Sequence, residues 1–384
     1  MLTITTIATK RINDPLPTNV QHLMGRLAAF FRINYIEPPV DIIYLLRNLK
    51  FIISLFRKTG INHLRRFIPV IFPFENRFPL IKRINEKMIS VQIRIFLKFN
   101  NSNRGILWIF SPKHSFLVGK LNEKKLYFHI TDDYLAFPEK AGLGPSDSIK
   151  SKEEYIMKKA DRIFVTSAYL AGLKSEFAEK IEIVPNVADS HHFEKAQSDT
   201  IKVPNEIKVI KKPIIGFVGA VDRFKVDFEI IGHCAQQNPD FSFVIIGPIG
   251  HGDCTVAEKL PQKKNIHYFG ERPYDKLPNY IKAFDVCLIP YCLTTYTHAC
   301  SPLKLHEYLA AGKPVVSTNL PAVDAFRHIV YIGDTPNNFC QRIREALEED
   351  NIELIKERQR VANENSWGRR TMSIKRIIIK DQAA

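Results

Sequence analysis

The stretch PIIGFVG, residues 213–219, decides the fold, because it is apolar from end to end and does not alternate apolar with polar side chains. Alternating strands have one face in water, whereas strands that are apolar and β-branched throughout are buried on both faces of a parallel sheet. A helical stretch follows, and a second apolar run, FSFVIIG, occupies residues 241–247. The pattern predicts a strand–helix–strand unit of a doubly wound domain.

Similar short runs recur along the whole chain, with helical stretches between them. In the first half they are LTITTIA (2–8), INYIE (33–37), ILWIF (106–110), LYFHI (126–130), RIFVT (162–166) and IEIVP (181–185). In the second half they continue with NIHYFG (265–270), DVCLIP (285–290), KPVVST (313–318) and HIVYIG (328–333). Two such series in 384 residues predict an α/β protein of two Rossmann-like domains. Ligands of such domains bind beyond the carboxyl ends of the strands, so we expect the two domains to face a central cleft.

The basic charge is concentrated near the N-terminus. Residues 1–120 hold 19 Lys or Arg against 5 Asp or Glu, a net charge of +14, while the whole chain carries +15. A basic half of this kind predicts an anionic partner, either nucleic acid or a membrane surface. The six scattered cysteines form no CxxC pair, which favours free thiols in the cytoplasm over disulfides or a zinc site. We expect neither a signal peptide nor a transmembrane helix.

The region 42–69 separates the two anionic partners. At about 100° per residue its basic residues fall on one side of a helix and its Ile, Leu and Phe residues on the rest, the pattern of a helix lying in a membrane interface. The basic residues are Arg47, Lys50, Arg57, Lys58 and Arg65. An amphipathic helix that packs only on its own core is the alternative. No nucleic-acid reading motif is present, so we expect contact with an anionic membrane and no nucleic acid.

A second motif, SPLKLHEYLAAGKPVV at residues 301–316, follows a predicted strand. Ser301 and Pro302 resemble an N-cap and a first helical residue, and Gly312 resembles a left-handed C-cap. Lys304 is unusual, because the first turn of a helix already carries partial positive charge. A bound diphosphate would reverse that penalty, and Glu307, one turn later, could accept hydrogen bonds from ribose hydroxyls. The alternative is a surface Lys–Glu pair at i, i+3.

The same segment closely resembles the donor-site signature of GT-B glycosyltransferases, in particular the bacterial family-1/family-4-type enzymes of cell-envelope polysaccharide synthesis. Further stretches are similar to these enzymes, and some resemble the teichuronic-acid subgroup. They are IIGFVGAVDRFKVDFEII, NIHYFGERPYDKLPNYIKAFDVCLIPY, VPNVADSHHF, LYFHITDDYLAFPE, RIFVTSAYL and NSWGRR. The resemblance covers most of residues 1–376 and is weaker before residue 100.

The resemblance implies a donor site for a nucleotide-sugar, and we expect a UDP-sugar. Lys304 would bind the pyrophosphate, Glu307 the ribose hydroxyls, and Ser301 would cap the helix that holds the phosphates. Gly219 would let the backbone approach the diphosphate, as its place after a buried strand also suggests. The remaining donor-binding candidates are Arg223, Lys225 and Tyr274, for which solvated loop charges and a partly buried loop aromatic are the alternatives.

One position departs from the family pattern. Many retaining members carry a second glutamate eight residues before the one that binds ribose, and here that position is Ala299. Both the identity of the sugar and the stereochemical course are therefore open. No metal and no cofactor are expected, because there is no DxD-like pair beside the motif and Lys304 with its helix end can neutralise the leaving diphosphate.

Acceptor-side candidates follow the predicted strand LYFHI. Asp132 and Asp133 lie at its carboxyl end, where one carboxylate could accept the proton of an acceptor hydroxyl while the other caps a turn. Both could equally be turn-formers, and if the reaction retains configuration the two are binding groups. Thr18-x-x-Gln21 resembles a capping box, which places His22 and Arg26 near the same edge. Lys113, with His114, follows another strand and could neutralise a lipid diphosphate.

Together these features predict a glycosyltransferase, peripheral on the inner face of the plasma membrane, that acts on a lipid-linked or nascent envelope polysaccharide. Residues 1–190 would bind the acceptor and face the membrane, residues 191–365 would bind the donor, and residues 366–384 would return to the first domain. A nucleotide-sugar 2-epimerase of the same fold and a non-catalytic nucleotide-sugar-binding partner are the alternatives.

Overall fold

A computed structural model describes residues 1–48, 51, 59–102, 104–136, 146–250, 256 and 260–383. The chain divides into two compact units. Unit 1 comprises residues 1–184 and 371–384, and unit 2 comprises residues 185–370. Each unit is built around its own parallel sheet with helices packed against it, so each is described by itself.

Unit 1 contains a seven-stranded parallel sheet, and its central strand, Ile106–Ile109, is buried along its whole length. The strand order is β4-β2-β1-β6-β7-β8-β9, and β3 and β5 form a separate parallel pair. The strands are β1 (Thr3–Ile7), β2 (Arg32–Ile36), β3 (Val40–Asp41), β4 (Leu64–Phe67), β5 (Val70–Ile71), β6 (Ile106–Ile109), β7 (Lys125–Ile130), β8 (Arg162–Val165) and β9 (Ile181–Ile183).

The helices of unit 1 connect these strands. They are α1 (Asn19–Leu27), α2 (Ile42–Arg47), α3 (Pro79–Phe99), α4 (Ser146–Lys159) and α5 (Ala168–Leu173), with 3₁₀ turns at Pro112–Leu117 and Ser175–Lys180. The core is rich in aromatic residues, and Trp108 stacks on Phe110 and Phe164. No helix in the described part of the chain is both long and apolar enough to cross a membrane.

Unit 2 contains a six-stranded parallel sheet in the order β12-β11-β10-β13-β14-β15. Its strands are β10 (Ile214–Val218), β11 (Ser242–Ile246), β12 (Ile266–Gly270), β13 (Val286–Ile289), β14 (Val315–Ser317) and β15 (Tyr331–Ile332). Its helices are α6 (Ser190–Glu194), α7 (Asn205–Lys208), α8 (Phe228–Gln237), α9 (Leu277–Ala283), α10 (Thr295–Ala299), α11 (Leu303–Ala310), α12 (Pro336–Leu347), α13 (Ile352–Glu364) and α14 (Trp367–Ala383), the last of which continues into unit 1. Short 3₁₀ turns cover Lys195–Gln197, Tyr274–Lys276 and Pro321–Phe326.

The twelve strands predicted from apolar runs are all present, and the doubly wound arrangement is confirmed. The sequence analysis missed β3, β4 and β5. The prediction of one amphipathic helix over 42–69 is wrong, because α2 ends at Arg47 and Arg65 lies in strand β4, at the edge of the sheet beside β2. Pairing with β2 satisfies the backbone of Leu64–Phe67 and overrides the helical charge pattern. Lys50, Arg57 and Lys58 lie outside the described residues, as does Cys254, while the five other cysteines are free thiols.

Unit 1 ends at Val184 and not at residue 190, and its C-terminal part starts at Thr371 and not at 366. The segments in question are tied to unit 2. Ser366 forms a β-bridge with Ala188, and the Trp367 N–H donates to the Ala188 carbonyl at 3.1 Å. Farther along α14, the Asp381 carboxylate accepts from Arg162 at 2.5 Å and from the Tyr127 hydroxyl at 2.7 Å, which holds the end of the chain on unit 1.

Candidate functional site

Helix α11 carries the Lys304 motif, and both of its ends are well defined. Gly312 has φ of +68°, a left-handed conformation that favours glycine, as predicted. The Gly312 N–H donates to the Leu309 carbonyl at 2.9 Å and the Lys313 N–H to the Tyr308 carbonyl at 3.1 Å. This pair of bonds is a Schellman motif, which satisfies the last carbonyl groups of the helix.

The predicted N-cap role of Ser301 is wrong. The N-cap residue is Pro302, and no side chain caps the first turn. The Ser301 hydroxyl oxygen instead accepts the Asn186 N–H at 3.2 Å, and the Asn186 side-chain amide donates to the Ser301 carbonyl at 3.0 Å. These two hydrogen bonds hold the loop before α11 against the segment that follows β9.

Lys304 and Glu307 form an ion pair with 2.6 Å between Nζ and Oε2. Their side chains are only 19% and 5% exposed. The chain contains a pair of the same spacing on α13, Glu353 and Lys356, whose side chains are 74% and 64% exposed. The Lys304–Glu307 pair is therefore not the solvated surface pair that was the alternative interpretation, and its charges lie in a partly desolvated position at the start of a helix.

Tyr308 fixes α11 to the end of strand β10. Its side chain is fully buried, and its hydroxyl oxygen accepts the Val218 N–H at 2.8 Å while the hydroxyl lies 3.3 Å from the Val218 carbonyl. Burial raises the pKa of this phenol far above its usual value. The residue after Val218 is Gly219, so Tyr308 connects the two predicted donor-binding positions. The residues next to Tyr308 in the sequence do not indicate this hydrogen bond, and the sequence analysis missed it.

Gly219 lies where two strand ends approach closely. Its N–H donates to the Ile246 carbonyl at 2.8 Å. Gly247, at the end of β11, has φ of +147°, and a Cβ atom there would lie 1.8 Å from the Gly219 carbonyl oxygen. Gly247 is a second required glycine that the sequence analysis missed, although its place at the end of FSFVIIG was a usable signal.

The topology brings the loop with Arg223 and Lys225 to the segment that leads into α11. Strands β10 and β13 are parallel neighbours, so the loops after them emerge at one edge of the sheet. The Cys292 N–H donates to the Lys225 carbonyl at 2.9 Å, and Val226 forms an antiparallel bridge with Tyr291. The Lys225 ammonium lies 5.2 Å from the Tyr291 ring centroid, and the Arg223 guanidinium carbon lies 4.8 Å from the Phe224 ring centroid.

Tyr274 lies elsewhere, after the edge strand β12. Its ring stacks on His192 of α6 with 4.8 Å between centroids, and its carbonyl lies 3.0 Å from His192 Nε2. Phe193 meets the same ring edge-on. The half-buried aromatic ring of Tyr274 is thus packed against α6. Ala299, at the departure from the family pattern, is fully buried at the end of α10.

In unit 1, the two predicted carboxylates have different surroundings at the end of β7. Asp133 is buried, and its carboxylate accepts the Leu135 N–H at 3.1 Å, which makes it the turn-former. Asp132 is half-buried and accepts from the Thr131 hydroxyl at 3.2 Å. Asp133 therefore forms a turn, as the sequence allowed, and Asp132 is the more exposed of the two carboxylates.

A buried ion pair that the sequence analysis missed lies beside these residues. Lys174 Nζ is 2.6 Å from Glu153 Oε2, with side chains 8% and 1% exposed. Burial raises the pKa of Glu153, Lys174 opposes that rise, and the charge of Asp133 adds to it. Glu153 belongs to α4 and Lys174 to the end of α5, so no local spacing could have paired them.

The remaining acceptor-side candidates lie at two places in unit 1. On α1, Arg26 Nη1 lies 3.2 Å from His22 Nδ1, and the predicted capping box is confirmed by the Thr18 N–H donating to Gln21 Oε1 at 2.8 Å. Lys113 is the second residue of the 3₁₀ turn Pro112–Leu117, which follows β6. Desolvation is the main cause that lowers the pKa of Lys113, and the positive charges of Lys82 and Lys152 lower it further. Among the described residues, no three His, Cys, Asp or Glu side chains form a group that could hold a metal ion.

Comparison with known proteins finds similar sequences. Residues 212–349 match the family described as glycosyl transferases group 1. The putative teichuronic acid biosynthesis glycosyltransferase TuaH of Bacillus subtilis (strain 168) is 33% identical over 230 residues, which are 57% of this chain and 57% of TuaH. The chain therefore matches little more than half of that relative's length.

Solved structures share the fold over the whole chain. Sucrose-phosphate synthase from Thermosynechococcus elongatus superposes with a TM-score of 0.73 at 14% identity, with 100% of both chains covered. Anabaena Alr3699/HepE, in complex with UDP and glucose, gives 0.69 at 13% identity, with 98% of this chain and 99% of that one covered. The predicted GT-B fold class and the family resemblance are both confirmed.

Proposed function

Because residues 212–349 match the family of glycosyl transferases group 1, we propose that the protein is a glycosyltransferase that uses a UDP-sugar donor. The acceptor in this proposal is a lipid-linked or nascent cell-envelope polysaccharide at the inner face of the membrane. Three facts support the proposal: the family match, the name of the TuaH relative, and the UDP bound in the structurally similar HepE. The desolvated Lys304–Glu307 pair at the start of α11 is the observation that carries it.

The pair offers both halves of a nucleotide diphosphate site. In the proposed complex the diphosphate lies at the N-terminal end of α11, where Lys304 and the helix dipole stabilise its negative charge. Glu307 then exchanges its hydrogen bond with Lys304 for bonds from the ribose hydroxyls. Arg223 and Lys225, on the neighbouring loop, add positive charge near the phosphates. In this site the developing charge on the leaving UDP is stabilised without a metal ion.

In the proposed reaction the acceptor oxygen bonds to the anomeric carbon as that carbon loses its bond to the β-phosphate of UDP. If configuration is inverted, Asp132, the more exposed of the two carboxylates, accepts the proton of the acceptor hydroxyl. If it is retained, the leaving phosphate takes the proton, and Asp132 is a binding group. Burial destabilises the Lys113 ammonium, and the charges of Lys82 and Lys152 do so further, so an acceptor phosphate beside it would stabilise this cation.

The test is a screen for UDP release over a panel of nucleotide sugars, with and without crude lipid acceptor. We expect release that depends on the acceptor and is unchanged by EDTA, and proton NMR of the product would assign the anomeric configuration. Interconversion of the free nucleotide sugar without an acceptor would identify an epimerase. UDP-sugar binding without any turnover would identify a non-catalytic binding protein.

The donor site is tested by Lys304→Ala and Glu307→Ala, with Lys356→Ala and Glu353→Ala as matched controls from the exposed pair on α13. Losing one charge-assisted contact costs about 1.5–3 kcal/mol, so we expect UDP to bind roughly 10–100-fold more weakly to the α11 variants by calorimetry. The controls should bind like the wild type, and circular dichroism should show all four folded. Unchanged UDP affinity in either α11 variant would remove that residue from the site.

A further inference from the structure

Helix α3 exposes an apolar stripe to solvent. Five of its aliphatic or aromatic residues are exposed, from 40% for Ile84 to 85% for Phe99. With about 100° of rotation per residue, all five fall within an arc of roughly 100° on one side of the helix. They are Leu80, Ile84, Val91, Ile95 and Phe99. A continuous stripe along a helix of 21 residues is more than the scattered exposed side chains of an ordinary surface.

The opposite face of α3 is already attached to unit 1. Ile93 and Leu97 are buried there, and Phe96 stacks on Phe67 with 4.8 Å between ring centroids. Two side-chain amides also tie the helix to the chain that precedes it. Asn85 accepts the Phe72 N–H at 2.9 Å, and Gln92 accepts the Val70 N–H at 2.9 Å. The helix therefore has two apolar faces, and only one is used by the core.

A row of cations borders the exposed stripe. By the same helical projection, four exposed basic residues occupy an arc of about 60° next to Leu80. They are Arg83, Lys87, Arg94 and Lys98. None of the four forms an ion pair with an acidic residue in the part of the chain that the structure describes, and Glu86 is the one acidic residue in the sequence of α3. The surface thus combines apolar side chains with a band of positive charge.

The segment that leads into α3 extends this surface with aromatic rings. Phe72, Phe74 and Phe78 are 45%, 62% and 46% exposed. The Arg77 guanidinium lies 5.6 Å from the Phe78 ring centroid, so a cation again accompanies an exposed ring. Aromatic side chains of this kind are enriched where protein meets the headgroup layer of a membrane.

The charge pattern favours one kind of partner for this face over a second copy of the chain and over nucleic acid. A symmetric contact with a second copy would bring the two basic rows against each other, and like charges at an interface are costly. Nucleic acid would neutralise the cations but would leave the aliphatic stripe in water. An anionic bilayer satisfies both, since acyl chains bury the stripe and each nearby Lys or Arg gains about 1 kcal/mol from the negative surface.

We propose that α3, together with Phe72, Phe74 and Phe78, is the face by which the protein docks on anionic lipid, with the helix axis in the plane of the membrane. The proposal rests on the membrane location within the proposed function, but not on the transfer reaction. It assigns lipid contact to residues 72–99, beyond the region 42–69 that the charge pattern of the sequence indicated.

The experiment is co-sedimentation of the full chain with vesicles of phosphatidylcholine alone or with roughly one third phosphatidylglycerol, at low and high salt. We expect binding to the anionic vesicles, weakened by salt, and little binding to the neutral ones. Equal binding to both, or to neither, would overturn the proposal.

Charge is tested by two fourfold Gln variants with the same loss of net charge. The first replaces the basic row of α3 (R83Q, K87Q, R94Q, K98Q). The matched control replaces exposed lysines of unit 2 (K202Q, K208Q, K263Q, K264Q). We expect the partition coefficient onto anionic vesicles to fall by about 10–100-fold for the first and by less than threefold for the control. Equal losses would mean that only net charge matters and would refute a docking face on α3.

The apolar stripe is tested by Leu80→Ser with Phe99→Ser, against the equally exposed Val209→Ser with Ile352→Ser. We expect only the α3 pair to lose binding, by roughly tenfold. Sedimentation velocity on the same samples addresses self-association. A wild-type dimer that the α3 pair converts to a monomer would overturn the lipid assignment in favour of a second copy.

Calorimetric titration of UDP into every variant, without vesicles, separates this proposal from the proposed function. The α3 variants should bind UDP like the wild type even when they no longer bind lipid. If the wild type binds lipid through α3 but never binds UDP, the docking face stands and the donor assignment fails.

Discussion

Helices α11 and α3 have similar residues at their N-terminal ends, but their surroundings differ. Each has a proline at its start, no acidic residue in its first turn, and a lysine within four residues of its beginning, Lys304 or Lys82. In α11 six of the eight residues are buried and the lysine is paired with Glu307. In α3 most of the cations and an apolar stripe are exposed. The same local irregularity therefore accompanies a proposed small-molecule site in one place and a broad exposed surface in the other.

The difference shows that the role of a cation at the start of a helix depends on the residues that surround it. Around α11, Tyr308, Gly219 and the Schellman turn confine the pair to one position next to the end of β10. Around α3, nothing described covers the exposed stripe, and the cations form a row along the helix. A confined, desolvated pair suits one compact ligand, whereas a row of charge suits an extended surface.

The largest effect should separate the two faces of α3. Ile93 is fully buried and Ile95 is half exposed, two residues apart on the same helix. We expect Ile93→Ala to lower the free energy of unfolding by about 3 kcal/mol, because it leaves a cavity, and Ile95→Ala to lower it by less than about 0.5 kcal/mol. Urea denaturation of both variants is the measurement. Similar losses would show that the outer face is packed, and the contrast with α11 would disappear.

An intermediate effect should come from the attachment of α11. Tyr308→Phe removes the oxygen that accepts the Val218 N–H and leaves that N–H buried, which costs about 1–3 kcal/mol. Tyr268→Phe is the control, because its hydroxyl donates to the Pro261 carbonyl at 3.1 Å from a half-buried position and should cost less than about 1 kcal/mol. Urea denaturation gives both values. A smaller loss for Tyr308→Phe than for the control would contradict the attachment.

The smallest effect is a pH dependence of stability. Burial lowers the pKa of His306 on α11 to about 4, aided by the charge of Arg370, and burial among aromatic rings lowers the pKa of His129 to about 3. An unfolded histidine has a pKa of about 6.5, so from there down to about pH 4 the unfolded chain binds more protons. The free energy of unfolding should therefore fall as the pH falls, by up to about 1.4 kcal/mol per pH unit for each histidine.

The contribution of α11 to this slope is measured with His306→Gln, using urea denaturation at several values between pH 7 and pH 5. The variant should lose part of the slope, whereas His191→Gln, at a side chain that is 91% exposed, should keep all of it. An unchanged slope in His306→Gln would mean that this face of α11 is wetter than its burial suggests.

Much of the fold could be predicted because buried parallel strands appear in the sequence as short, uninterrupted apolar runs. The twelve apolar runs are strands, since only a run without polar residues can be covered on both faces. Strand β4 was missed for the opposite reason. LRRF has two arginines at an edge position, and its pairing with β2 depends on residues about 30 positions earlier. Helix α3 was overlooked because its exposed stripe and its buried stripe are both apolar. The amino-acid sequence alone does not show which of the two faces the core.

The candidate site divides in the same way. The spacing of Lys304, Glu307 and Gly312 was sufficient for a helix with a cation at its start and a left-handed end, because these are properties of neighbouring residues. Their meeting with Tyr308, Val218 and the loop of Lys225 depends on β10 and β13 lying side by side. The sequence by itself determined twelve of the strands, the parallel class and the helix that carries Lys304 and Glu307. Only the tertiary structure decided that the pair is desolvated, that Asp133 closes a turn, and that α3 is the face left open, because burial depends on residues far apart in the chain.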